Sequence, residues 1–127
     1  MDVQAFFERM PFADKLGIEV TEATDGYAEG RVEAGPDLSW RQGKTMIHGG
    51  VTFALTDAVG GAALMSLVDE PVPTIDMRID YLEVGTGDLR AEAHVIRVGD
   101  DIGVVEVGAF AEDGVQTANA RGVYKIR

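Results

Sequence analysis

The sequence predicts an α+β domain in which one antiparallel sheet wraps around a single long helix. The first observation is an apolar stretch from about His48 to Val68 that contains no lysine, arginine or glutamate. The second is that the segments flanking it alternate apolar and polar residues, the period of half-buried strands. With 127 residues the chain is long enough for one core. We therefore expect residues 1–127 to form one domain.

Before the long helix, the sequence predicts a short helix and a β-hairpin. The helix covers residues 3–10, VQAFFERM, and we expect it to end near Pro11. The hairpin turns at Asp25-Gly26, a dipeptide that favours tight turns between strands. A loop from Leu38 to Met46 then leads into the long helix. The predicted hairpin strands cover residues 16–24 and 26–33.

After the long helix, the sequence predicts a run of four strands. In TIDMRIDYL, residues 74–82, the apolar side chains alternate from Ile75 to Tyr81. In LRAEAHVIRV, residues 89–98, the alternation slips at Ile96, which indicates a bulge. The last two predicted strands cover residues 102–111 and 115–126. The predicted order is therefore α-β-β-α-β-β-β-β.

The charge and composition exclude several functional classes. The chain has no cysteine, which rules out disulfides and thiolate nucleophiles. Its formal net charge is −11, which argues against nucleic-acid binding because that needs a basic surface. The acidic surface is that of an ordinary acidic protein or of a halophilic one, and only the halophilic alternative predicts that added KCl raises stability.

We expect a cytoplasmic protein with no membrane-spanning segment. The first residues, MDVQAFFERMPFADKLG, lack the basic start and apolar core of a signal peptide. The apolar stretch approaches membrane-spanning length, but it contains His48 and Asp57 and is rich in glycine and alanine. A helix that is apolar nearly all round is more often buried inside a protein.

His48-Gly49-Gly50 opens the long helix, and Asp57 is the one carboxylate within it. A buried carboxylate is costly unless it is paired or used, so Asp57 needs an explanation. Nine helical residues turn through about 900° and rise about 13 Å, which leaves His48 and Asp57 on opposite faces. The two side chains cannot meet within one chain. If both serve one site, that site forms across a two-fold interface.

The sequence resembles the hotdog-fold acyl-CoA thioesterases of the PaaI type, from about Gly17 to Ile126. The resemblance is carried by QGKTMIHGGVTFALTD, by TIDMRIDYLEV and by the stretch from Gly87 to Ile126. Its most specific part is the HGG motif at a helix start with an acid nine positions after the histidine. It implies a hotdog fold, with a curved antiparallel sheet around a long central helix, and hydrolysis of acyl-CoA at sites shared between subunits. It also implies a homodimer, or a homotetramer of paired dimers, and no cofactor.

The resemblance assigns a role to each of five residues. Asp57 matches the catalytic carboxylate, which acts as a general base or as a nucleophile. Gly49 matches the residue whose backbone N–H binds the thioester carbonyl oxygen, at the positive end of a helix. His48 matches the motif histidine that supports the substrate carbonyl or the loop geometry. Gln42 stands where the family usually has Asn, and Thr74 falls near a Ser or Thr that helps to place the water.

Other interpretations remain open at this stage. Gln42 with Asp57 combines residues of two branches, since the phenylacetyl-pathway type usually pairs Asn with Asp and the carrier-protein proofreading type pairs Gln with Glu. The acyl group is therefore open. Without catalysis, Asp57 would be a structural acid capped by hydroxyl or N–H groups. A non-catalytic acyl-CoA or acyl-carrier binding module would not need Asp57, and a hotdog dehydratase would need an Asp-His dyad in another sequence context.

An acyl-CoA substrate carries phosphates and needs basic residues on this acidic surface. Arg97, beside the turn at Gly99, matches a basic position common in the family, and Arg78 and Lys44 are further candidates. Most arginines on such a surface pair with nearby carboxylates instead. We expect no metal site, because the two histidines lack ligand spacing.

Overall fold

The computed structural model describes residues 1–127 and contains one six-stranded antiparallel sheet with a long helix against one face. The helices are α1 (Val3–Glu8), α2 (Pro11–Leu16) and α3 (Gly49–Val68), and the strands are β1 (Ile18–Thr24), β2 (Tyr27–Val32), β3 (Thr74–Tyr81), β4 (Leu89–Val98), β5 (Ile102–Ala111) and β6 (Gln116–Lys125). The strand order is β1-β2-β4-β5-β6-β3. This architecture confirms the predicted α+β class.

Helix α3 forms the centre of the core. Its first turn is capped by His48, whose Nδ1 accepts the backbone N–H of Gly50 at 2.7 Å. Leu55 and Val59 are fully buried against the sheet. By length and composition α3 is apolar enough to cross a membrane, but most of its apolar stretch is buried inside the protein. Its apolar character on all sides is therefore explained by packing, as expected for a core helix.

Two local predictions on the strands are confirmed. The turn between β1 and β2 places Asp25 at φ 51° and Gly26 at φ 83°. Positive φ at both central residues is the type I′ geometry that matches the twist of hairpin strands. In β4, the pairing with β5 shifts between Val95 and Arg97, so Ile96 is the extra residue of a bulge. The bulge turns Ile96 outward, where half of its surface is exposed.

The prediction of a helix stop at Pro11 is wrong in one respect. Helix α1 ends at Glu8, but Pro11 then begins α2 as its first helical residue. Proline suits this position because the first N–H of a helix has no partner within the helix. Helix α2 ends at Gly17, which adopts the left-handed conformation at φ 77°. A short 3-10 turn over Pro36–Leu38 follows β2.

Strand β3 lies at one end of the sheet, and only β6 pairs with it. Its predicted alternation holds for Met77 and Ile79, which pack against the core. It fails at Ile75, because the register shifts between Thr74 and Asp76 and leaves Ile75 unpaired and 56% exposed. The outer edge of β3 is therefore an open row of backbone groups, with apolar side chains exposed beside it.

Candidate active site

Asp57 is half-buried on α3 and is held at two points. The hydroxyl of Thr74 donates to its Oδ1 at 2.7 Å. The hydroxyl of Tyr124 donates to its backbone oxygen at 2.9 Å. Burial raises the pKa of Tyr124, and the nearby charge of Asp57 raises it further, so Tyr124 stays protonated and keeps donating. Within the chain, the hydrogen bond to the Asp57 carboxylate comes from Thr74 and goes to Oδ1 rather than Oδ2.

A cavity of about 310 Å³ opens beside Asp57, and we call it the Asp57 cavity. On one side it is lined by the α3 residues Ala54, Ala58 and Gly61, and on the other by α1 and α2. Thr74 and the ring of Tyr124 complete it near the carboxylate. Thr74, which the resemblance implies helps to place the water, thus contacts the Asp57 carboxylate in the structure.

The start of α3 lines a second space, the Gly49 pocket, of about 290 Å³. Its lining includes Trp40, Gly49, Tyr81 and Thr117. The backbone N–H of Gly49 has no acceptor in the chain, whereas that of Gly50 is bound to His48. The hydroxyl of Tyr81 donates to the carbonyl oxygen of Gly49 at 2.6 Å, and burial raises the pKa of Tyr81. This contact fixes the first turn of α3 to the end of β3.

His48 adds a second donor to this end of the helix. Because its Nδ1 accepts the Gly50 N–H, the proton of the neutral ring is on Nε2. The side chain is exposed, so Nε2–H is free to donate to another molecule. Together with the free N–H of Gly49, it provides two donors at the positive end of a helix, a setting that favours a negatively charged oxygen.

The Asp57 cavity and the Gly49 pocket have no lining residue in common. Asp57 and Gly49 are thus on one helix but face different spaces. Gln42 joins neither group: it is exposed in the loop before α3 and forms no hydrogen bond within the chain. Within one chain, the candidate residues near Asp57 and those near Gly49 therefore lie in two separate spaces.

The three candidate phosphate-binding residues are not clustered. Lys44 and Arg97 are exposed and form no ion pair, whereas Arg78 pairs with Asp80 at 3.0 Å. Arg78 also lies opposite Arg121 in the pairing of β3 with β6. No group of three His, Cys, Asp or Glu side chains is arranged to hold a metal ion.

Sequence reasoning missed three residues of these spaces. Tyr124 contacts Asp57 from 67 positions away, and Tyr81 contacts Gly49 from 32 positions away. Thr117 is 3% exposed, and its hydroxyl has no hydrogen-bond partner although it lines the Gly49 pocket. No local signal in the sequence indicated which polar group each of these side chains would meet.

Comparison with known proteins identifies the class. A family model described as the thioesterase superfamily matches residues 45–118, more than half of the chain. A solved structure of a thioesterase-superfamily protein is 34% identical, covers 98% of this chain and 96% of its own, and superposes with a TM-score of 0.92. The PaaI protein from the Escherichia coli phenylacetic acid degradation operon is 25% identical, with coverage of 97% and 89% and a TM-score of 0.85.

A curated relative carries an explicit activity in its name. The medium/long-chain acyl-CoA thioesterase YigI of Salmonella typhimurium is 26% identical over 97% of this chain and 90% of its own length. The protein therefore belongs to the thioesterase superfamily, with the hotdog fold that the resemblance predicted, and it is a thioester hydrolase.

Proposed function

We propose that this protein hydrolyses acyl-CoA to a free acid and CoA, at sites that two copies of the chain form together. One observation carries the proposal: Asp57 has a free carboxylate oxygen in one space, and Gly49 has a free N–H in another. A two-fold axis would bring the Asp57 cavity of one subunit to the Gly49 pocket of its partner, twice per dimer. The name of the YigI relative supports acyl-CoA as the substrate.

The open edge of β3 supports the dimer. An unpaired strand edge is a surface on which another chain pairs, and an apolar area around it indicates an interface. Trp40 and Tyr81 are each 52% exposed, and Tyr81 belongs both to this strand and to the Gly49 pocket. Further exposed apolar residues of this part of the chain are Phe53, Ile75, Leu82 and Val84.

The pairing of dimers into a tetramer, the cytoplasmic location and the single domain over 1–127 stay predictions.

In the proposed mechanism, the thioester carbonyl oxygen accepts the N–H of Gly49, with Nε2–H of His48 as a second donor. Oδ2 of the partner's Asp57 takes a proton from water as the water oxygen bonds to the carbonyl carbon. The carbon–sulfur bond then breaks, and the proton passes to the leaving thiolate. Direct attack by the carboxylate, with later hydrolysis of the anhydride, is the alternative. Thr74 holds Oδ1, so that Oδ2 points to the substrate in either case.

The remaining predicted residues have supporting roles. Gln42 would reach the substrate only from the loop before α3, and we assign it to the side of the site that supplies Gly49 and His48. Lys44 and Arg97 carry no ion-pair partner, which favours them over Arg78 for the CoA phosphates. We propose no cofactor, because the chemistry needs only water, a base and hydrogen-bond donors.

Subunit complementation tests the shared site. Asp57→Asn removes the base, and Gly49→Pro removes the N–H at a helix position where proline is well tolerated. Each variant alone is expected to be nearly inactive in a thiol-release assay with decanoyl-CoA. Mixed dimers contain one intact site of two, so random mixing should restore about a quarter of the wild-type rate.

The matched control mixes Asp57→Asn with the double variant Asp57→Asn/Gly49→Pro, which rebuilds no intact site. Differently tagged chains and a pull-down verify that mixed dimers have formed. Recovery only in the first mixture supports the shared site. Verified mixed dimers without recovery would place the whole site within one chain, and a wild-type protein that releases no thiol from any acyl-CoA would overturn the assignment of the substrate.

A further inference from the structure

We infer that the Asp57 cavity takes the acyl group as an unbranched, unsubstituted aliphatic chain, and that α1 and α2 set its length. The inference rests on the proposed function, because it assumes that the thioester carbonyl lies beside Asp57. It adds the class of the acyl group and the residues that select it.

The cavity exists because one face of α3 carries small side chains. Ala54, Ala58, Gly61 and Met65 follow one another at intervals of four, three and four residues, so they lie on one stripe of the helix. The first three are among the smallest side chains, and they leave space above the helix. Met65, which is 2% exposed, closes the inner end of the stripe.

Helices α1 and α2 close the space from the other side. Their contribution is apolar, with Phe6, Met10 and Phe12 among the lining residues. Phe12 is 58% exposed and Met10 is half-buried, so both lie toward the outer end of the wall rather than in the core. The family model begins to match at residue 45, so this wall lies outside the segment by which the superfamily is identified.

The polar groups of the cavity all lie at one end. Asp57 and Thr74 are hydrogen-bonded to each other, and the Tyr124 hydroxyl is bound to the Asp57 backbone. Every other lining side chain is apolar or is a glycine or proline. A hydroxyl at the far end of an acyl group would be buried there without a partner, which lowers binding by about tenfold or more. This composition favours a plain hydrocarbon chain over a hydroxylated aromatic ring.

The volume indicates a chain of medium length. An apolar cavity of about 150 Å³ takes one benzene ring. The Asp57 cavity, at about 310 Å³, has roughly twice that volume. It therefore holds on the order of a dozen carbon atoms, and longer chains would have to pass Met10 and Phe12 into solvent.

A series of straight-chain acyl-CoAs from four to sixteen carbons tests the inference. For the wild-type protein, kcat/KM should rise about fourfold per methylene up to roughly ten to twelve carbons and then level off. 4-Hydroxybenzoyl-CoA should be about tenfold or more below the best aliphatic substrate.

Three substitutions should move the chain length at which kcat/KM levels off, each in a predictable direction. Gly61→Ala adds a methyl group to the inner wall, and the new Cβ would meet Tyr124 at 3.6 Å, an ordinary contact. It should shorten the preferred chain by about one carbon, and Ala58→Leu by about three. Phe12→Ala removes part of the outer wall and should move the optimum to longer chains. Ala5→Leu on α1 and Phe110→Ala on β5 lie outside the cavity and serve as matched controls with an unchanged profile.

The outcomes separate this inference from the proposed function. A wild-type protein that hydrolyses acyl-CoAs with a profile unmoved by all three substitutions would refute the role of the cavity and leave thioester hydrolysis intact. A preference for 4-hydroxybenzoyl-CoA over the aliphatic substrates would also refute the inference and leave thioester hydrolysis intact. If no acyl-CoA is hydrolysed, the proposed function fails, and calorimetric binding of decanoyl-CoA to wild type and Ala58→Leu still tests the cavity. Equal affinities would then overturn the inference, and weaker binding to Ala58→Leu would support it.

Discussion

The Asp57 cavity and the Gly49 pocket lie along the same helix but differ in how far the chain satisfies their polar groups. Around Asp57, the Thr74 and Tyr124 hydroxyls both have partners, and α1 and α2 cover the apolar space. Around Gly49, a backbone N–H and the buried Thr117 hydroxyl have none. Buried polar groups in native proteins are normally paired. The contrast is therefore that the Gly49 pocket contains a buried side-chain hydroxyl without a partner in the chain, whereas the hydroxyls beside Asp57 are both bonded.

The largest expected effect is a fall in kcat when the N–H of Gly49 is removed. Gly49→Pro should lower kcat by about 10²–10³, the usual effect of removing one oxyanion donor. Gly49→Ala is the matched control, since it retains the N–H while adding a Cβ that would lie 3.3 Å from the Tyr81 ring in both variants. Steady-state thiol release with decanoyl-CoA measures both.

The comparison of these two variants separates the N–H from crowding. Loss of activity in Gly49→Pro alone supports the oxyanion role. Equal losses in both variants would show that the contact with Tyr81, rather than the N–H, limits activity. Circular dichroism should show an unchanged helix content, because proline fits the first position of a helix.

Two adjacent glycines on α3 provide a second comparison, on stability. A Cβ at Gly60 would lie 2.6 Å from the Tyr124 hydroxyl oxygen and 3.1 Å from Val107, both buried. At Gly61 the nearest contact is 3.6 Å. Gly60→Ala should therefore destabilise the protein by about 1–3 kcal/mol through overpacking. Gly61→Ala should stabilise it by about 0.5–1 kcal/mol, because alanine is the better helix residue.

Urea unfolding of the two variants measures these changes. Gly60→Ala should also reduce activity, because Tyr124 cannot move without losing its hydrogen bond to the Asp57 backbone. If both variants were equally stable, the packing of Tyr124 against α3 would be looser than the structure shows. The assignment of Tyr124 as the support of Asp57 would then be wrong.

Most of the fold could be predicted because its signals are local. The apolar run predicted the start of α3 to within one residue. The Asp25-Gly26 pair predicted the hairpin, and the interrupted alternation at Ile96 predicted the bulge. The prediction at Pro11 was incomplete, because proline is found both after the end of a helix and at the first position of one. Here it is the first residue of α2, and the sequence around Pro11 does not distinguish the two cases.

The site could be predicted only in part, for a related reason. The helix period predicted that His48 and Asp57 lie on opposite faces of α3, since that relation lies within one element. The contacts of Tyr124 and Tyr81 join residues far apart in the chain, so they depend on sheet register and on the position of α3 over it. The roles of Asp57, Gly49, His48, Gln42 and Thr74 stay predictions until the kinetic tests are made.

The last comparison, also on stability, is between the buried hydroxyls of Thr117 and Tyr124. Thr117→Val replaces an unpartnered hydroxyl by a methyl group of the same shape, and it should stabilise the protein by about 1 kcal/mol. Tyr124→Phe removes a hydroxyl that is bonded, and it should destabilise the protein by about 1 kcal/mol. Opposite signs in thermal unfolding would show that the two regions differ as the hydrogen bonds indicate. A destabilised Thr117→Val would instead mean that the Thr117 hydroxyl finds a partner in the assembled protein, which would locate that partner in the Gly49 pocket.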